Sequence, residues 1–193
     1  LPNAQIVKGR IARIVPSGLV MEDGTRHMLD VLVYATGYDA HAYMRPMKVT
    51  GLKGVTVDEI WKDKIFSYRG VALPGFPNMF MLYGPFAPVN NVPVPMGLDH
   101  EIGYIMRLIE IARQRSVAVT PTGPATEKFL ARIKDAMPDT VFVGCDNWYS
   151  DQTKTPILWP MAQEQHREMF ETVALEELQL IPSEPHDLPL AAE

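Results

Sequence analysis

Two short apolar runs, each followed by a glycine, constrain the fold of this chain more than any other feature of its sequence. Residues 31–34 (Val-Leu-Val-Tyr) precede Gly37, and residues 79–83 (Met-Phe-Met-Leu-Tyr) precede Gly84-Pro85. Continuous apolar runs of this kind are typical of strands that are buried on both faces of a mostly parallel sheet. The sequence therefore predicts an α/β protein in which the two runs form buried strands of one sheet.

An antiparallel meander is predicted over residues 6–33, which lead into the first run. Between residues 6 and 33, short β-prone segments alternate with two groups of turn residues, Pro16-Ser17-Gly18 and Asp23-Gly24. An Asp-Gly pair between β-prone segments is a strong hairpin signal. We therefore expect a small antiparallel sheet that leads into the first buried strand.

Three helices are predicted after the second run. Apolar residues recur at spacings of three and four, which predicts a helix from about Leu98 to Gln114. The recurring residues are Leu98, Ile102, Ile105, Leu108, Ile109 and Ala112. Thr122-Gly123-Pro124 predicts the start of a second helix, and residues 161–178 form a third candidate. From Pro182 onward there is little to bury, so we expect a frayed tail.

The composition excludes several classes of function. Of the 193 residues, 47% are hydrophobic and 21% are charged, as in an ordinary soluble globular protein. The formal net charge of -5 argues against a nucleic-acid partner, because such proteins need clustered Lys and Arg to displace counterions. No apolar run approaches the length of a membrane-spanning helix, and no signal peptide opens the chain, so we expect no membrane span.

The single cysteine and the first residue give two further expectations. Cys145 has no second cysteine with which to form a disulfide or a thiolate metal site, so we expect a reducing, cytoplasmic setting. The chain begins with Leu1 instead of Met, which leads us to expect that something upstream has been removed.

The first group of residues that suggests chemistry follows the first run: Asp30-Val-Leu-Val-Tyr-Ala35-Thr36-Gly37-Tyr38. A glycine at the carboxyl end of a strand lets a ligand approach the backbone, and cofactors bind at this edge of α/β sheets. Taken by itself, Gly37 is explained equally well as the turn after a core strand.

The second group lies around the second run. It comprises Trp61, Tyr68-Arg69-Gly70, Pro74-Gly75-Phe76-Pro77-Asn78-Met79-Phe80 and Tyr83-Gly84-Pro85. We expect the glycine- and proline-rich turn to feed a sheet strand that Gly84-Pro85 ends close to a ligand. The helix that follows points its positive N-terminal end at the same crevice, where it would stabilise an anion. A core strand with a packing helix is the alternative, and the two interpretations are compatible.

The third group is Cys145-Asp146-Asn147-Trp148-Tyr149, with Trp159-Pro160 downstream. An indole can stack on a ring and donate a hydrogen bond, so Trp148 suits a lid over a binding site. An aromatic cluster in the core is the alternative, because buried aromatic residues dominate cores in general.

In this order and spacing, the three groups resemble the C-terminal portion of Baeyer–Villiger-type flavin-dependent monooxygenases, within the flavin-containing monooxygenase superfamily. The resemblance covers residues 6–159. It implies the C-terminal part of an FAD/NAD(P)-binding Rossmann-like fold, with an antiparallel meander and a helical C-terminal portion. It also implies that Ala35, Thr36, Gly37, Gly84 and Pro85 lie near FAD.

Two loops take their implied roles from the same resemblance. Relatives carry a Ser- and Asn-containing loop that ends in Asn-Met before the helix, which implies flavin contacts for Asn90, Asn91 and Met96. Here the asparagines come earlier and prolines intervene. The family's late Trp-Tyr segment is a mobile loop, which implies that Trp148 and Tyr149 close over the nicotinamide and the substrate.

The implied activity is that of an intact enzyme larger than this chain. NADPH reduces FAD, O2 adds to the flavin, and the peroxyflavin inserts oxygen beside the carbonyl of a small-molecule ketone. The arginine that stabilises this intermediate lies upstream in the family, so the resemblance implies no catalytic residue here. A heteroatom-oxidising flavin monooxygenase is the alternative within enzymes.

No G-x-G-x-x-G fingerprint occurs anywhere in the sequence, so neither dinucleotide has its phosphate-binding turn in this chain. We therefore expect the chain to be inactive alone and to pair with the missing N-terminal part of the same protein. A noncatalytic module that pairs with a separate Rossmann-bearing chain is the other alternative.

The resemblance and the predicted elements together give four expected segments. Residues 1–29 would form the meander and the link from the nicotinamide domain, and residues 30–120 the C-terminal part of the FAD-binding domain. Residues 121–181 would form a helical subdomain with the aromatic lid loop, and residues 182–193 a disordered tail.

Two other groups of polar residues are explained more simply. The five histidines show no zinc-binding spacing, so we expect no metal site: His27, His41, His100, His166 and His186. Asp99-His100-Glu101 resembles an acid–base cluster, but acidic residues in the first turn of a helix more often serve the helix dipole.

Overall fold

The computed structural model describes residues 2–39, 41–87, 93–144, 149–151, 153 and 155–182. The chain divides into two compact units, Leu1–Asp39 and Ala40–Glu193. The first unit contains a three-stranded antiparallel sheet, and the second contains the helices and a two-stranded antiparallel sheet, so the fold is a mixed α/β fold. The predicted division into four segments, at residues 29, 120 and 181, stays a prediction.

The first unit contains the predicted meander. Strands β1 (Ile11–Val15), β2 (Gly18–Met21) and β3 (Arg26–Met28) form an antiparallel sheet in the order β1-β2-β3. Gly18 pairs with Met28 across the sheet and has φ +145°, and a Cβ there would lie 2.0 Å from the His27 carbonyl oxygen. Only glycine fits this close approach between strands.

The Asp23-Gly24 turn joins β2 to β3 as the sequence predicts. The Thr25 N–H donates to Asp23 Oδ1 at 2.9 Å, and Gly24 takes the left-handed conformation with φ +87°. An aspartate that accepts from the backbone two residues on, followed by a glycine with positive φ, is a common way to reverse the chain. The hairpin prediction is confirmed.

The first apolar run does not form a buried strand. Residues 31–39 belong to no strand, and Val31 and Val33 are 76% and 78% exposed. A strand must pair its N–H and C=O groups with a neighbour, and among the described residues none pairs with this run. The prediction of a buried strand at residues 31–34 is therefore wrong for this chain.

The second apolar run is also irregular. Phe80 forms a single bridge with Ala72, and the Met81 N–H donates to the Val71 carbonyl at 2.8 Å. Met81 is buried, but Leu82 is exposed. The run is thus irregular backbone that packs partly into the core, and the predicted strand at residues 79–83 is wrong for the same lack of a neighbouring strand.

The helices of the second unit are closer to prediction. A short capped helix, α1 (Val57–Ile60), precedes α2 (Val94–Arg115) and α3 (Gly123–Ala136). Helix α2 begins four residues earlier than predicted. Thr122 caps α3 by accepting the Ala125 N–H at 3.2 Å, as its position before Gly-Pro predicts.

The third predicted helix is shorter than expected. Helix α4 covers Gln163–Glu171, and after a single 3-10 turn at Leu175–Glu177 the chain forms β5 (Leu178–Pro182). Strand β5 pairs antiparallel with β4 (Val117–Pro121). The helical prediction for residues 172–178 is wrong: residues 175–177 form only the 3-10 turn, and Leu178 already pairs with Pro121 of β4. Pro182 ends a strand, and residues 183–193 lie outside the described residues.

The core of the second unit lies where α2, α3, α4 and the β4–β5 ribbon meet. Its fully buried side chains include Tyr68, Tyr104, Leu108, Ile133, Trp159 and Phe170. Aromatic residues bury the largest areas per side chain and contact one another edge to face. This core holds the turn that follows the second apolar run.

Candidate functional site

The A-T-G segment of the first unit is open. Ala35, Thr36 and Gly37 are all exposed, Gly37 has φ +73°, and no atom lies within 4 Å of a Cβ built on it. An L-residue would be strained at that φ. The backbone of this segment is therefore accessible to a ligand.

The turn at residues 83–87 has the opposite character. Gly84 and Pro85 are buried, and Tyr83 and Phe86 have positive φ values of 57° and 71°. The Gly84 N–H donates to the Gly70 carbonyl at 3.1 Å, and a Cβ at Gly84 would lie 2.4 Å from that oxygen. Close packing thus requires a glycine at residue 84, whether or not a flavin lies nearby.

A buried serine and a neighbouring segment hold the turn from two sides. The Ser67 hydroxyl donates to the Pro85 carbonyl at 2.7 Å and accepts the Gly70 N–H at 3.0 Å. The Phe86 N–H donates to the Ile157 carbonyl at 2.9 Å. The predicted Tyr-Arg-Gly and Gly-Pro motifs are therefore brought together through main-chain atoms, and Ser67 connects them.

The Gly-Phe-Pro-Asn turn is anchored on β4. The Asn78 N–H donates to the Val119 carbonyl, and Asn78 Oδ1 accepts the Val119 N–H, both at 2.9 Å. Asn78 has φ +53°, a conformation that asparagine tolerates better than most residues. Its side chain replaces a missing strand partner, which fixes the register of the turn on the ribbon.

The start of α2 differs from the expected anion site. Pro93 is the N-cap, Pro95 has no N–H, and the N–H groups of Met96 and Gly97 both donate to the Pro93 carbonyl. The helix dipole, more than a set of free N–H groups, would therefore act on an anion here. Met96 is half exposed. Asn90 and Asn91 lie outside the described residues.

The aromatic segment is described only in part. Trp148 lies outside the described residues, as do Cys145, Asp146 and Asn147. Tyr149 is half buried, and its carbonyl accepts the Ile157 N–H at 3.0 Å. Trp159 is fully buried in the core, where its indole N–H donates to the Ala162 carbonyl at 3.1 Å. Trp159 is therefore a core residue.

A buried acid and a buried histidine lie directly behind the turn. Glu101 is fully buried two turns into α2, and its Oε2 accepts the Tyr83 N–H at 2.8 Å. Glu101 Oε1 lies 3.9 Å from Nε2 of His166, which is buried on α4. Because Glu101 is neither in the first turn nor exposed, the prediction that it serves the helix dipole is wrong.

The sequence contained a signal for Glu101 that periodicity alone did not resolve. The predicted apolar face of α2 included Ile102 and Ile109, which are both partly exposed. The buried face is rotated relative to the predicted face by about one residue. It is formed by Gly97, Glu101, Tyr104, Ile105 and Leu108. An acid three and four residues before Tyr104 and Ile105 marks this face.

A second polar cluster ties Tyr68-Arg69 to the C-terminal segment. Arg69 pairs with Glu177 at 2.8 Å, and the Tyr68 hydroxyl donates to the same carboxylate oxygen at 2.5 Å. Burial acts to raise the pKa of Glu177, but the Tyr68 hydrogen bond and the Arg69 charge outweigh it and lower the pKa overall. Lys128 pairs with the other oxygen at 3.3 Å.

A flavin fits the described residues only as a partial surface. The A-T-G backbone is exposed and unobstructed, whereas Gly84-Pro85 is packed and could support a neighbouring group only from behind. Among the described residues, no group of three or more His, Cys, Asp or Glu side chains could hold a metal ion. None of the described helices combines the length and the apolar character that a membrane span requires.

The chain is similar in sequence to several curated monooxygenases. An uncharacterized monooxygenase of Mycobacterium tuberculosis is 37% identical over 180 residues, which are 92% of this chain and 36% of the relative. Phenazine N-monooxygenase of Lysobacter antibioticus is 35% identical over 77% of this chain and 28% of its own length. A Baeyer–Villiger monooxygenase of Pseudooceanicola batsensis is 30% identical over 75% of this chain and 27% of its own length.

The fold is also similar to that of a monooxygenase of known structure. The closed crystal structure of cyclohexanone monooxygenase matches 90% of this chain and 34% of its own, with a TM-score of 0.78 and 28% identity. No protein-family model matches the chain. The chain spans about a third of the length of these relatives. It thus belongs with the Baeyer–Villiger-type flavin-dependent monooxygenases and corresponds to a C-terminal portion of such an enzyme.

Proposed function

We propose that this chain supplies the C-terminal part of an FAD- and NADPH-dependent monooxygenase that inserts oxygen from O2 beside the carbonyl of a small-molecule ketone. The observation that carries the proposal is the exposed A-T-G segment. The run that leads into it, residues 31–34, has the sequence of a buried strand, yet Val31, Val33 and Tyr34 are exposed. A segment of this kind needs a neighbour to cover it.

The neighbour is the portion of the relatives that this chain does not span. The first unit exposes Ile6, Ile11, Ile14, Met28, Val31, Val33 and Tyr34. In the second unit, α2 exposes Ile102, Met106 and Ile109, which recur at spacings of four and three and so share one helical face. Each unit thus presents an apolar surface, and burying these surfaces would drive association with the missing part.

The cofactor supplies the redox chemistry and the chain supplies support. Reduced FAD activates O2, and NADPH provides the electrons. Ala35, Thr36 and Gly37 would lie along the flavin, because their backbone is open to a ligand. Gly84 and Pro85 would support it from a turn that Ser67 and Glu101 hold in place.

The remaining predicted site residues belong to the same proposal. Met96, Asn90 and Asn91 would contribute to the flavin side, and Trp148 and Tyr149 would cover the nicotinamide and the substrate. A lid excludes water from the reacting centre, and excluding water strengthens electrostatic stabilisation there. The single cysteine is in accord with a reducing, cytoplasmic setting for the enzyme.

Oxidation of a ring nitrogen is the second candidate function. The relative from Lysobacter antibioticus is named a phenazine N-monooxygenase and is 35% identical to this chain. Both functions require the same cofactor and differ in the atom that receives oxygen. The pocket that decides between them is shared with residues outside this chain.

The test is to restore a complete enzyme. The chain is mixed with the part of the Mycobacterium tuberculosis relative that it does not cover, and FAD retained after gel filtration is measured by its visible absorbance. We expect neither part alone to retain stoichiometric FAD and the mixture to retain it. Full FAD binding by this chain alone would overturn the proposal of an incomplete site.

The reconstituted mixture also distinguishes the two reactions. Oxidation of NADPH is followed with cyclohexanone and with phenazine, and products are identified by mass. Lactone formation supports oxygen insertion beside a carbonyl, and N-oxide formation supports the second candidate. Retention of FAD without either product, and without NADPH oxidation, would favour a noncatalytic binding module.

A further inference from the structure

The carboxyl group of Glu101 is buried between three parts of the second unit. It lies on α2, its Oε2 accepts the Tyr83 N–H at 2.8 Å, and its Oε1 faces His166 of α4 at 3.9 Å. Both side chains are almost completely buried. Tyr83 opens the turn that continues into Gly84-Pro85, so Glu101 connects this turn to the helical core.

One oxygen of Glu101 is satisfied and the other is not. Among the described residues, Oε1 has no hydrogen-bond partner. Its distance of 3.9 Å from His166 Nε2 exceeds that of a hydrogen bond, but a small side-chain movement would close it. His166 is held in place by Trp159 and Phe170, whose rings lie 5.3 Å and 4.9 Å away between centroids. The histidine therefore cannot turn away from the acid without disturbing the core.

Burial disfavours charge on both groups. Burial raises the pKa of Glu101 to about 7, although the Tyr83 N–H acts in the opposite direction. Burial, and to a lesser extent the charge of His100, lowers the pKa of His166 to about 4. At slightly acidic pH, the folded pair therefore holds one proton, on the carboxyl group.

Among the residues that the structure describes, none supplies a counter-charge to Glu101 or His166. Tyr83 and His100 are the titratable residues that act on the pair from the turn and from α2. Residues 157–162, which follow the turn's partner Ile157, contain no titratable side chain. Five titratable or charged residues of α2 and α4 line an adjoining cleft: Asp99, His100, Arg107, Arg167 and Glu171.

We propose that Glu101 is a positioning residue that fixes the Tyr83–Gly84–Pro85 turn and is itself held by a proton shared with His166. In the protonated state, Glu101 Oε1–H donates to the unprotonated Nε2 of His166 while Oε2 accepts the Tyr83 N–H. Loss of that proton to solvent leaves an unpaired buried charge behind the turn. The importance of the turn for flavin binding rests on the proposed function, but the positioning role does not.

The pH dependence of stability has a definite sign. The raised pKa of Glu101 lowers stability as pH rises from about 4.5, its unfolded value, to about 7. The lowered pKa of His166 raises stability as pH rises from about 4 to 6.5. Between about pH 4.5 and 6.5 the two contributions cancel, so the pair changes the free energy of unfolding little with pH there. From about pH 6.5 to 7 only Glu101 titrates, and the pair lowers stability as pH rises.

Three variants of the cofactor-free chain test the role of Glu101. In the unmodified chain, we expect the NMR signal of the Tyr83 amide to titrate near pH 7. Glu101→Gln keeps an oxygen for Tyr83 and an N–H for His166, so we expect the amide to stay protected from hydrogen exchange and to stop titrating. Glu101→Leu removes the acceptor, and we expect exchange to accelerate about tenfold.

His166→Gln completes the set. It leaves Glu101 to titrate without its partner, and we expect stability to fall with rising pH over the whole interval from about 4.5 to 7. Glu101→Gln should show the opposite slope between about 4 and 6.5, because only His166 then titrates. Identical pH profiles for both variants and the unmodified chain would overturn the shared proton.

A purely structural role would give a different result. If Glu101→Gln were as poorly protected at the Tyr83 amide as Glu101→Leu, the side chain would only fill space and the positioning role would be wrong. If Glu101→Leu does not fold, the Gln variant still decides. All of these measurements use the chain without FAD, so failure of flavin reconstitution leaves their outcome readable.

Discussion

At the residue scale, Gly84 is the position where close packing most clearly requires a glycine. Its φ is not positive, so an alanine meets no backbone strain there, but its Cβ would lie 2.4 Å from the Gly70 carbonyl. We expect Gly84→Ala to lower the free energy of unfolding by about 1–3 kcal/mol, measured by urea denaturation.

Gly123→Ala is the matched control for that substitution. Gly123 also lacks a positive φ, and nothing lies within 4 Å of its Cβ position at the start of α3. We expect the control to be neutral or to stabilise the chain by up to about 1 kcal/mol, because alanine lowers the entropy of the unfolded state. Equal losses in both variants would contradict the packing explanation.

Sequence alone predicts residues whose role is local and misses those whose role is a distant contact. The Asp23-Gly24 turn and the Thr122 cap depend on neighbours in the chain, and both are found as predicted. Ser67 and Glu101 act on carbonyl and amide groups 18 residues away, which no local pattern reveals. The spacing of Glu101 from Tyr104 and Ile105 marks a buried helical face, but only the structure reveals the distant partners of Ser67 and Glu101.

At the element scale, the Arg69–Glu177 pair joins the motif-bearing turns to the segment before β5. Both side chains are largely buried, and Tyr68 shares the carboxylate. We expect Glu177→Gln to lower the free energy of unfolding by about 2 kcal/mol at neutral pH, because a charge-assisted hydrogen-bond network is lost.

The pH dependence of that loss follows from the lowered pKa of Glu177. The carboxylate stabilises the fold above its unfolded value of about 4.5, and this stabilisation disappears as pH falls through the lower folded value. The difference between the variant and the unmodified chain should therefore shrink in acid. Asp58→Asn, which breaks the exposed Arg45–Asp58 pair, should cost less than about 1 kcal/mol. A similar loss in both variants would show that burial does not matter.

The elements that the sequence predicted correctly are those that need no remote partner. The meander closes through its own turns, and α2 and α3 form from periodic apolar residues and, for α3, a cap. The runs at residues 31–34 and 79–83 need neighbouring strands, and β5 forms only because β4 is available. Strand formation depends on a partner, so apolar content alone predicted two strands that this chain does not form.

At the scale of the whole molecule, each of the two units has large apolar side chains that are exposed. The relatives are about three times as long, and under the proposed function their unspanned part covers these side chains. Residues that face such a cover contribute to association but not to the stability of the chain alone. Measuring association and stability separately therefore distinguishes these residues from core residues.

Val33→Lys and Met106→Lys test that separation, one in each unit. Both side chains are more than half exposed, so we expect each variant to change the free energy of unfolding of the isolated chain by less than about 0.5 kcal/mol. Against the unspanned part of the Mycobacterium tuberculosis relative, we expect each to weaken binding by tenfold or more, because a desolvated ammonium costs at least about 1.4 kcal/mol. Titration calorimetry measures this loss, with Val141→Lys, at an equally exposed valine outside both apolar surfaces, as the control that should bind normally. Normal binding by both test variants would mean that these surfaces face solvent in the complete enzyme as well.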